Sequence, residues 1–466
     1  MRWPATTVDA RAWSATGERL QSGELSLLAL WGEPRLAHMA VIDASGTPGV
    51  LHLPCSEGRF PSIGRVHSPA IRPERAMREL CGLDAEGAPD ARPWLHHGKP
   101  YAFLPAQGEG LHQIPVGPVH AGIIEPGHFR FTANGETVVR LEERLGYVHK
   151  GIGALMAGAP LERAAQLAGR VSGDSTVAHA LAFSRAVEDA LGIEAPPRAL
   201  WLRALAGELE RLANHFGDIG AVCNDAAFSI LHASCGWLRE QVLRAANACF
   251  GHRLMMDRVV PGGMRCDLAP EGARALRALL GVARQRFPEI VDLYDNTASL
   301  KDRTVDTGIL SQELARQYAA GGYVGRASGR DFDARRSPGY APYGELRFEV
   351  PVVHAGDVNA RVWIRIREVQ ESLALVEQIL ERLPAGPIQG ALPAAAGEGA
   401  SLVEGFRGDI FGWVRLGADG RIERAYLRDP SWFQWPLLEA AIEGNIVADF
   451  PLCNKSFNCS YSGHDL

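Results

Sequence analysis

The first hundred residues alternate short apolar runs with turn-forming residues. Residues 25–31 and 38–42 are apolar runs broken by Gly and Pro, a pattern typical of strands in a small mixed sheet. Residues 73–83 are rich in Glu and Arg and precede a Pro-rich turn, which by itself indicates a solvated surface helix. We therefore expect a small mixed α/β domain over residues 1–105.

A hairpin pattern follows a linker at residues 108–110. Residues 129–133 and 137–141 are strand-like and flank Asn134-Gly135, the dipeptide that two-residue type I′ turns prefer. The sequence therefore predicts an antiparallel strand pair at the start of a second domain.

Two long segments carry apolar residues at helical spacing. Residues 201–216 place leucines three or four positions apart, and residues 362–383 repeat the pattern with Ile, Val and Leu. Such stripes predict helices that pack in a bundle. Between them, residues 321–343 are rich in Gly and Arg and predict a loop.

The chain changes character after Pro384. Residues 391–399 predict a flexible connector, and residues 412–416 and 421–427 alternate about Ala418-Asp419-Gly420 like a hairpin. The whole pattern predicts an α+β protein. Its first domain covers residues 1–105, and its second, over residues 106–466, has a central bundle of long helices and peripheral antiparallel β-sheets.

Composition and charge exclude several classes of protein. A net charge of -6 over 466 residues, without a basic run, argues against nucleic-acid binding. The N-terminus lacks the apolar run of a signal peptide, and no stretch approaches the ~20 apolar residues of a membrane span. The eight cysteines contain no Cys-x-x-Cys pair, so we expect a reducing, cytoplasmic setting without disulfides or iron–sulfur ligands in this chain.

Residues 170–179 carry the most informative local pattern. They have the outline of a metal-binding Cys-Gly-x-Cys turn before a helix, but Ser172 and Ser175 occupy both sulfur positions. A thiolate is soft and anionic and can hold nickel or iron, whereas a serine hydroxyl is hard and neutral near pH 7. The sequence therefore predicts the turn without its metal.

Several separate blocks share one resemblance. Over residues 114–466 they resemble, in order, the large subunit of membrane-bound, energy-converting nickel–iron hydrogenases of the formate hydrogenlyase type, and its relative, the quinone-site subunit of respiratory complex I. Residues 73–95 are similar to a signature of the small complex I subunit that is fused to the quinone-site subunit in some relatives. The blocks are residues 117–120, 125–130, 147–151, 196–225, 260–263, 302–308 and 403–408.

The resemblance implies where a nickel–iron centre would lie. Its cysteines form two Cys-x-x-Cys pairs, of which the first falls on Ser172 and Ser175. The second pair, after an Asp-Pro, falls on Ser431 and Gln434. None of the four residues supplies the negative charge that such a centre needs, so we expect no metal in this chain.

Two further features bear on this expectation. Trp432 and Phe433 are expected to fill part of the volume that the metal would take. Cys453 and Cys459 lie six positions apart, and two thiols cannot replace four. They are therefore expected to be buried structural cysteines.

The resemblance to the complex I subunit implies a different use of the space where the metal would lie. There a histidine and a tyrosine bind a quinone head group, and an aspartate partners the histidine. By resemblance the histidine falls on His120, the aspartate on Asp225, and the tyrosine position on Gly173. A histidine tuned by a carboxylate can deliver a proton to the quinone. On the residues alone, His120 also fits a loop histidine that bonds backbone, and Asp225 fits a helix cap.

Other polar residues complete the predicted site. Ser172, Gly173, Ser175, Ser431 and Gln434 are expected to line the substrate cavity. His179 either lines the same cavity or is a satisfied core residue.

A second polar group lies on the helix of residues 201–216. Glu208, Arg211 and His215 share one face of that helix. They form either a network that couples electron transfer to ion movement or ion pairs that stabilise the bundle.

The resemblance implies an electron-transfer subunit of a membrane-associated complex, fused to a small-subunit-like domain, that reduces a quinone or another acceptor. Its partners would be a small subunit that carries an iron–sulfur cluster and antiporter-like membrane subunits, and it would lie on the cytoplasmic side of the cell membrane. The alternative is a scaffold subunit that binds no substrate, in which Trp432, Phe433 and Trp435 would fill the cavity. An active hydrogenase is disfavoured by the missing sulfur ligands.

Overall fold

A four-stranded sheet with two helices forms the N-terminal part of the chain. The computed structural model describes residues 3–95, 98, 100–122 and 124–466. The elements here are β1 (Ala5–Thr7), α1 (Ala10–Gln21), β2 (Leu25–Glu33), β3 (Leu36–Asp43), β4 (Pro48–Pro54), β5 (Arg59–Pro61), α2 (Ile71–Cys81) and β6 (Asp84–Glu86). The strand order is β1-β4-β3-β2, with β1 parallel to β4 and the other pairs antiparallel. The mixed sheet expected from the apolar runs is confirmed.

A three-stranded antiparallel sheet follows. It consists of β7 (Leu111–Val116), β8 (His128–Asn134) and β9 (Thr137–Arg144). Asn134 pairs with Thr137, so the connecting turn is Gly135-Glu136, one residue later than the sequence predicts. Gly135 has a φ of 58°, in the left-handed region that favours glycine. The loop between β7 and β8 carries His120.

Long helices make up the centre of the molecule. They and the short elements between them are α3 (Ile152–Met156), α4 (Leu161–Ala168), α5 (Thr176–Leu191), α6 (Pro197–Asp225), α7 (Ser229–Phe250), β10 (Val259–Val260), β11 (Gly263–Met264), α8 (Pro270–Asn296), α9 (Ala298–Thr304), α10 (Gln312–Gln317), α11 (Gly322–Ala327) and α12 (Val358–Arg382). Helix α6 packs against α5, α7 and α12. Its leucines at the predicted positions are all buried, and the predicted bundle is confirmed.

The sequence predicts a loop over the Gly- and Arg-rich segment 321–343, and this prediction is partly wrong. It contains α11 and a short helical turn at Arg335–Gly339. A Cβ atom on Gly322 would lie 2.3 Å from the carbonyl oxygen of Arg407. The glycine therefore lets the start of α11 touch a neighbouring strand turn. The helix is stabilised by this packing and by the burial of Tyr323 and Val324, which no local propensity indicates.

The C-terminal part consists of a sheet and three short helices. The elements are β12 (Gly397–Gly405), β13 (Gly408–Leu416), β14 (Ile422–Arg428), α13 (Ser431–Ala441), α14 (Phe450–Phe457) and α15 (Tyr461–Asp465). The strands are antiparallel in the order β12-β13-β14. One face of this sheet packs on α5, so it folds back on the bundle as expected.

Glycine allows α5 to lie directly on the sheet. A Cβ atom on Gly399 would lie 2.2 Å from the amide nitrogen of Ala190 and 2.4 Å from the carbonyl oxygen of Ala186. These distances are far below van der Waals contact. Position 399 therefore tolerates only glycine at this spacing of helix and sheet.

The N-terminal sheet covers the other face of β12–β14. Leu28 and Trp31 share a hydrophobic core with Phe411 and Trp413, and Trp432 and Phe433 enter the core of the N-terminal part. The α+β class is thus confirmed, while the domain boundary at residue 105 stays a prediction. Among the helices that the structure describes, none combines the length and apolar composition of a membrane span.

Candidate active site

Ser172 and Ser175 lie on a tight turn in front of α5. The amide of Ser175 donates to the carbonyl oxygen of Ser172 at 3.2 Å. The Ser172 hydroxyl donates to Asp174 Oδ1 at 2.8 Å and lies 2.8 Å from Ser460 Oγ. Because Ser172 gives its proton to the carboxylate, Ser460 is the donor in the second bond. The turn expected from the sequence therefore exists, and its hydroxyls bond to other protein groups.

His179 lies one helical turn beyond the serines and is completely buried. Its Nδ1 is 3.2 Å from Ser175 Oγ, and its Nε2 is 3.4 Å from Asp429 Oδ2. Burial lowers the pKa of His179, although the carboxylate of Asp429 opposes this. Nδ1 is also 3.0 Å from the carbonyl oxygen of Ser175, which can only accept, so Nδ1 donates its proton there. His179 thus links the serine turn to the Asp429-Pro430 corner and does not line the cavity described below.

Ser431 and Gln434 lie at the start of α13 and are completely buried. Ser431 Oγ accepts from the amide of Ser460 at 2.8 Å. The Gln434 amide donates to the carbonyl oxygens of Arg407, at 2.9 Å, and Gly321, at 3.2 Å. Both residues therefore lie behind the cavity wall, where they support the backbone that forms it.

Ser460 is the site residue that the sequence analysis does not identify. It contacts Ser172 directly, and its Oγ accepts from the amide of Gly463 at 2.9 Å. The available signal is that of a helix cap, since Ser460 directly precedes α15 and its side chain caps the first turn of that helix. A Cβ atom on Gly463 would lie 2.6 Å from Asp429 Cγ, so no longer side chain fits there.

A buried arginine holds the turn in place. Arg407 donates to Asp174 Oδ2 at 2.6 Å and Oδ1 at 3.3 Å. Burial raises the pKa of Asp174, but Arg407 outweighs it and keeps the net pKa below its usual range. The carboxylate is therefore ionised at neutral pH and is the acceptor for Ser172.

A cavity of about 590 Å³ opens in front of this turn. We call it the serine cavity. It brings together four residues predicted for the site, namely Ser172 and Gly173 in the turn, His120 on a loop and Asp225 at the end of α6, and it has mixed polar and apolar walls. Ser175 was predicted to line it but does not, because its hydroxyl faces His179. Its walls include His120, Glu125, Ser172, Gly173, Asp174, Asp225, Arg407, Phe450, Lys455, Asn458, Cys459, Ser460 and Tyr461.

His120 contacts a tyrosine in the serine cavity. Its Nε2 is 3.3 Å from the Tyr461 hydroxyl, and its Nδ1 is 3.1 Å from the carbonyl oxygen of Pro118. Burial raises the pKa of Tyr461, so the phenol keeps its proton and donates to His120. The carbonyl oxygen of Pro118 can only accept, so Nδ1 is the nitrogen that donates to it. The tyrosine expected at Gly173 is absent, but a different tyrosine lies beside the histidine.

Asp225 ends α6 and faces the same cavity. It is accessible to solvent through the cavity, yet desolvation by the surrounding protein raises its pKa, and Lys455 opposes this shift. His120 bonds to Pro118 and Tyr461 and not to Asp225. The two predicted residues therefore line one cavity without forming a direct pair.

Glu208, Arg211 and His215 lie in a fully buried charge network. Glu208 accepts from the hydroxyls of Tyr343, at 2.7 Å, and Ser372, at 2.6 Å. Arg211 Nε is 3.4 Å from Glu208, and His215 Nε2 is 2.7 Å from Glu368. The other members are Arg326, Asp333, Arg335 and Glu404.

Charge complementarity stabilises this network in its buried position. Burial opposes ionisation of Glu208, but Arg335 and Arg211 hold its pKa below the usual range. Burial raises the pKa of Glu404, and Asp333 raises it further. Burial also lowers the pKa of His215. The network is thus densely paired, as a structural core requires, and it also contains groups that can exchange a proton.

The residues at the predicted metal positions do not fit a nickel–iron centre. Ser172 bonds to Asp174 and Ser460, Ser175 contacts His179, and Ser431 accepts from a backbone amide. Neutral hydroxyls in such bonds supply neither the charge nor the polarisability that nickel and low-valent iron require. Within the described residues, no group of three or more His, Cys, Asp or Glu side chains is arranged to hold a metal ion.

Known proteins share this fold and sequence. Residues 227–396 match the family model of the respiratory-chain NADH dehydrogenase 49 kDa subunit. Formate hydrogenlyase subunit 5 of Escherichia coli is 30% identical over 87% of this chain and 77% of its own length. The carbon monoxide-induced hydrogenase of Rhodospirillum rubrum is 31% identical over 74% of this chain and 96% of its own length.

Two further comparisons agree. A subunit of the NADH-quinone oxidoreductase of Desulfotalea psychrophila is 32% identical over 72% of this chain and 92% of its own length. A chain in the solved structure of the membrane-bound sulfane sulfur reductase, an archaeal respiratory membrane complex, superposes with a TM-score of 0.72 at 24% identity. The match covers 77% of this chain and 99% of that chain, and it shows the shared fold.

Fold and similarity together define a subunit of the membrane-bound hydrogenase and complex I class of oxidoreductase assemblies. Within that class, the chain belongs to the complex I 49 kDa subunit family, whose members include hydrogenase large subunits.

Proposed function

We propose that this chain is the electron-transfer subunit of a membrane-associated oxidoreductase complex and that it reduces a quinone, or a chemically similar acceptor, in the serine cavity. The observation that carries the proposal is the meeting of His120, Tyr461 and Asp225 in one cavity of about 590 Å³. This volume is in the range of small-molecule sites in proteins. The expected absence of nickel and iron is part of the same proposal.

The polar groups of the cavity suit a quinone head group. A quinone presents two carbonyl oxygens, each of which takes up one electron and one proton on reduction. Tyr461 can donate a hydrogen bond to one of them in place of its bond to His120. His120, whose Nδ1 faces the carbonyl oxygen of Pro118, can donate from Nε2 once that nitrogen carries a proton. Asp225, with its raised pKa, can deliver a proton from the other side of the cavity.

The electrons must come from another subunit. No cysteine pair in this sequence has iron–sulfur spacing, so we infer a partner that carries an iron–sulfur cluster next to the serine cavity. Membrane attachment through antiporter-like subunits, on the cytoplasmic side, is the matching expectation. In such a complex Glu208, Arg211 and His215 would couple the redox step to ion translocation.

A scaffold subunit without a substrate is the rival interpretation, and it predicts a filled cavity. The bulky side chains that were expected to compete for this space point elsewhere. Trp432 and Phe433 pack into the N-terminal core, and Trp435 packs against Phe129 and Tyr461. None of the three lines the serine cavity, which favours the enzyme.

The test uses the purified complex, electrochemically reduced and mixed with short-chain quinone analogues. We expect quinol formation, and we expect His120→Ala and Asp225→Asn to lower its rate by about 100-fold, as for other lost proton donors. The control is His112→Gln, an exposed histidine on β7 of the same sheet. Normal assembly without quinol formation in the wild type would establish the scaffold instead.

Metal analysis tests the proposed absence of a nickel–iron centre in this chain. The purified complex should contain iron from the partner subunit but no nickel bound to this chain. Nickel at one equivalent per chain would overturn the proposal.

A further inference from the structure

A second cavity lies directly behind the serine turn. It encloses about 210 Å³ between α6, α7 and the start of α5, and we call it the side cavity. Arg239 and Arg253 in its wall are exposed, so the cavity reaches the protein surface. Gly173 and Asp174 line both the side cavity and the serine cavity. The two cavities are therefore separated by a single turn of backbone.

The turn of backbone between the two cavities forms a partition that is thin at position 173. A Cβ atom built on Gly173 meets no heavy atom within 4 Å, so the space that a side chain would fill is open. The partition then consists of the Gly173 backbone and the side chain of Asp174. Asn214 braces it by donating to the carbonyl oxygen of Asp174 at 2.7 Å.

Glu210 is the buried carboxyl group of the side cavity. It accepts from the amides of Val177, at 2.7 Å, and Ala178, at 3.0 Å, at the start of α5. No ion pair to Glu210 is formed within the described part of the chain. Burial, with a smaller contribution from Asp174, raises its pKa to about 8 against the effect of the two amides. At neutral pH Glu210 therefore holds a proton.

The charged groups around Glu210 come from four segments. Asp174 on the serine turn lines the same cavity and acts on Glu210 electrostatically, Arg211 follows it on α6, and Arg239 on α7 and Arg253 after α7 lie in the cavity wall. Arg407 is already committed to Asp174. Among the residues that line the side cavity, Asp174 is the other carboxylate, and it can take a proton that leaves Glu210.

We propose that Glu210 and Asp174 relay protons from the side cavity to the serine cavity. The inference rests on the proposed function, in which a quinone takes two electrons from the partner's iron–sulfur cluster and two protons from the protein. Glu210 passes its proton to Asp174, directly or through one water. Asp174 then gives a proton to Ser172 and Ser172 gives its own to Ser460, so both resting hydrogen bonds reverse their direction. Ser460 gives its proton to the quinone, and water in the side cavity restores the proton of Glu210.

Glu210 acts through Asp174 and does not touch the substrate, so the test needs readouts that a structural role would not move. In the purified complex, Glu210→Gln should lower kcat for quinol formation by at least about tenfold and leave KM within about twofold. It should also remove the limb of the pH profile near pH 8. Glu210→Asp, which keeps a carboxyl group, should restore most of the rate.

Chemical rescue and a matched control sharpen the test. Glu210→Ala should regain activity in sodium azide or formate, because a small weak acid can enter the emptied space. Glu240→Gln, which removes an acid that pairs with Arg253, should behave like the wild type. Unchanged kcat in Glu210→Gln, or no rescue of Glu210→Ala, would overturn the relay.

Infrared spectroscopy separates this inference from the proposed function. The wild-type complex at pH 7 should show a protonated carboxyl band that shifts in heavy water and is lost in Glu210→Gln. This result supports an exchangeable Glu210 proton even if the complex reduces no quinone, in which case the proposed function alone fails. Absence of the band, or a band that does not shift in heavy water, would overturn the relay itself.

Discussion

Ser172 and Ser460 lie 288 positions apart in the chain, and their hydroxyl oxygens are 2.8 Å from each other. This contact closes the C-terminal helices over the turn in front of α5. It also places both side chains on the wall of the serine cavity, where small reagents can reach them. The geometry of the site can therefore be tested without any assumption about function.

The double variant Ser172→Cys/Ser460→Cys should form a disulfide under mild oxidation, because sulfur atoms at these positions need to approach only slightly more closely than the oxygens. Closing so long a loop should raise the free energy of unfolding by about 3–5 kcal/mol. Non-reducing electrophoresis with peptide mapping detects the bond, and thermal unfolding with and without a reductant measures its effect. Ser172→Cys alone is the control, and two free thiols after oxidation would contradict the contact.

His67 should make stability depend on pH. It is buried, and desolvation lowers its pKa to about 4. In the unfolded chain the pKa of His67 is about 6.5. Between about pH 6.5 and 4, the unfolded chain therefore binds a proton at His67 and the folded chain does not. Stability from this group is thus complete above pH 6.5 and is lost as the pH falls towards 4, by up to about 3 kcal/mol.

Urea unfolding of the wild type and of His67→Phe at pH 4.5 and 7 measures this effect. Between pH 7 and pH 4.5, the unfolding free energy of the variant should fall less than that of the wild type, because the contribution of His67 is gone. His112→Gln, at an exposed position, should retain it. Equal pH dependence in all three proteins would show that His67 is not the cause.

Glu208 should matter far more for stability than an exposed glutamate in an ion pair. Glu208→Gln removes one carboxylate from the buried Arg211 and Arg335 and leaves the network with an excess positive charge, although Glu368 and Asp333 still pair with these arginines. The change should cost about 3–5 kcal/mol. Glu377→Gln breaks the exposed pair with Arg284 and should cost less than about 1 kcal/mol. Chemical unfolding of the isolated chain gives both values, and equal costs would contradict the burial of the network.

The same Glu208→Gln variant also tests its role in the complex. If Glu208 couples electron transfer to ion movement, the assembled variant should reduce its acceptor without moving ions across vesicles. A variant that no longer assembles would instead favour the purely structural role.

Two glycine substitutions should have opposite effects. In Gly399→Ala the new methyl group meets the backbone of Ala190 at 2.2 Å, so α5 must move off the sheet, at a cost of about 1–3 kcal/mol or more. In Gly281→Ala the methyl group meets nothing within 4 Å on α8, and helix propensity should stabilise the protein by about 0.5–1 kcal/mol. Thermal unfolding compares them, and a stabilised Gly399→Ala would contradict the close approach.

The sequence predicted those helices and strands whose apolar positions repeat at the spacing of the element. The leucine spacing of α6 follows directly from the face that this helix buries. The turn residues at 418–420 marked the hairpin of β13 and β14, although β13 is buried on both faces. By contrast, α11 forms in a segment whose glycines and arginines indicate a loop, because its stability comes from packing against the turn at Arg407. Such tertiary stabilisation leaves no periodic signal.

The site was predictable only in part for the same reason. The spacing of Ser172 and Ser175 identified the turn, and the family resemblance led to His120 and Asp225. Ser460 and Tyr461 complete the cavity because α14 and α15 fold back across it. The closeness of Tyr461 to His120 depends on that long-range packing, and no spacing in the sequence encodes it.

The N-terminal sheet packs on β12–β14, which the ribosome makes last, and this affects folding during translation. Glu33 and its partner Arg415 are separated by 382 positions, so at about 5–20 residues per second the ribosome needs roughly 20–80 s to make the second after the first. During that time the apolar face around Trp31 has no strand to pack on. Nascent chains of this protein should therefore depend on chaperones that shield this face until translation ends.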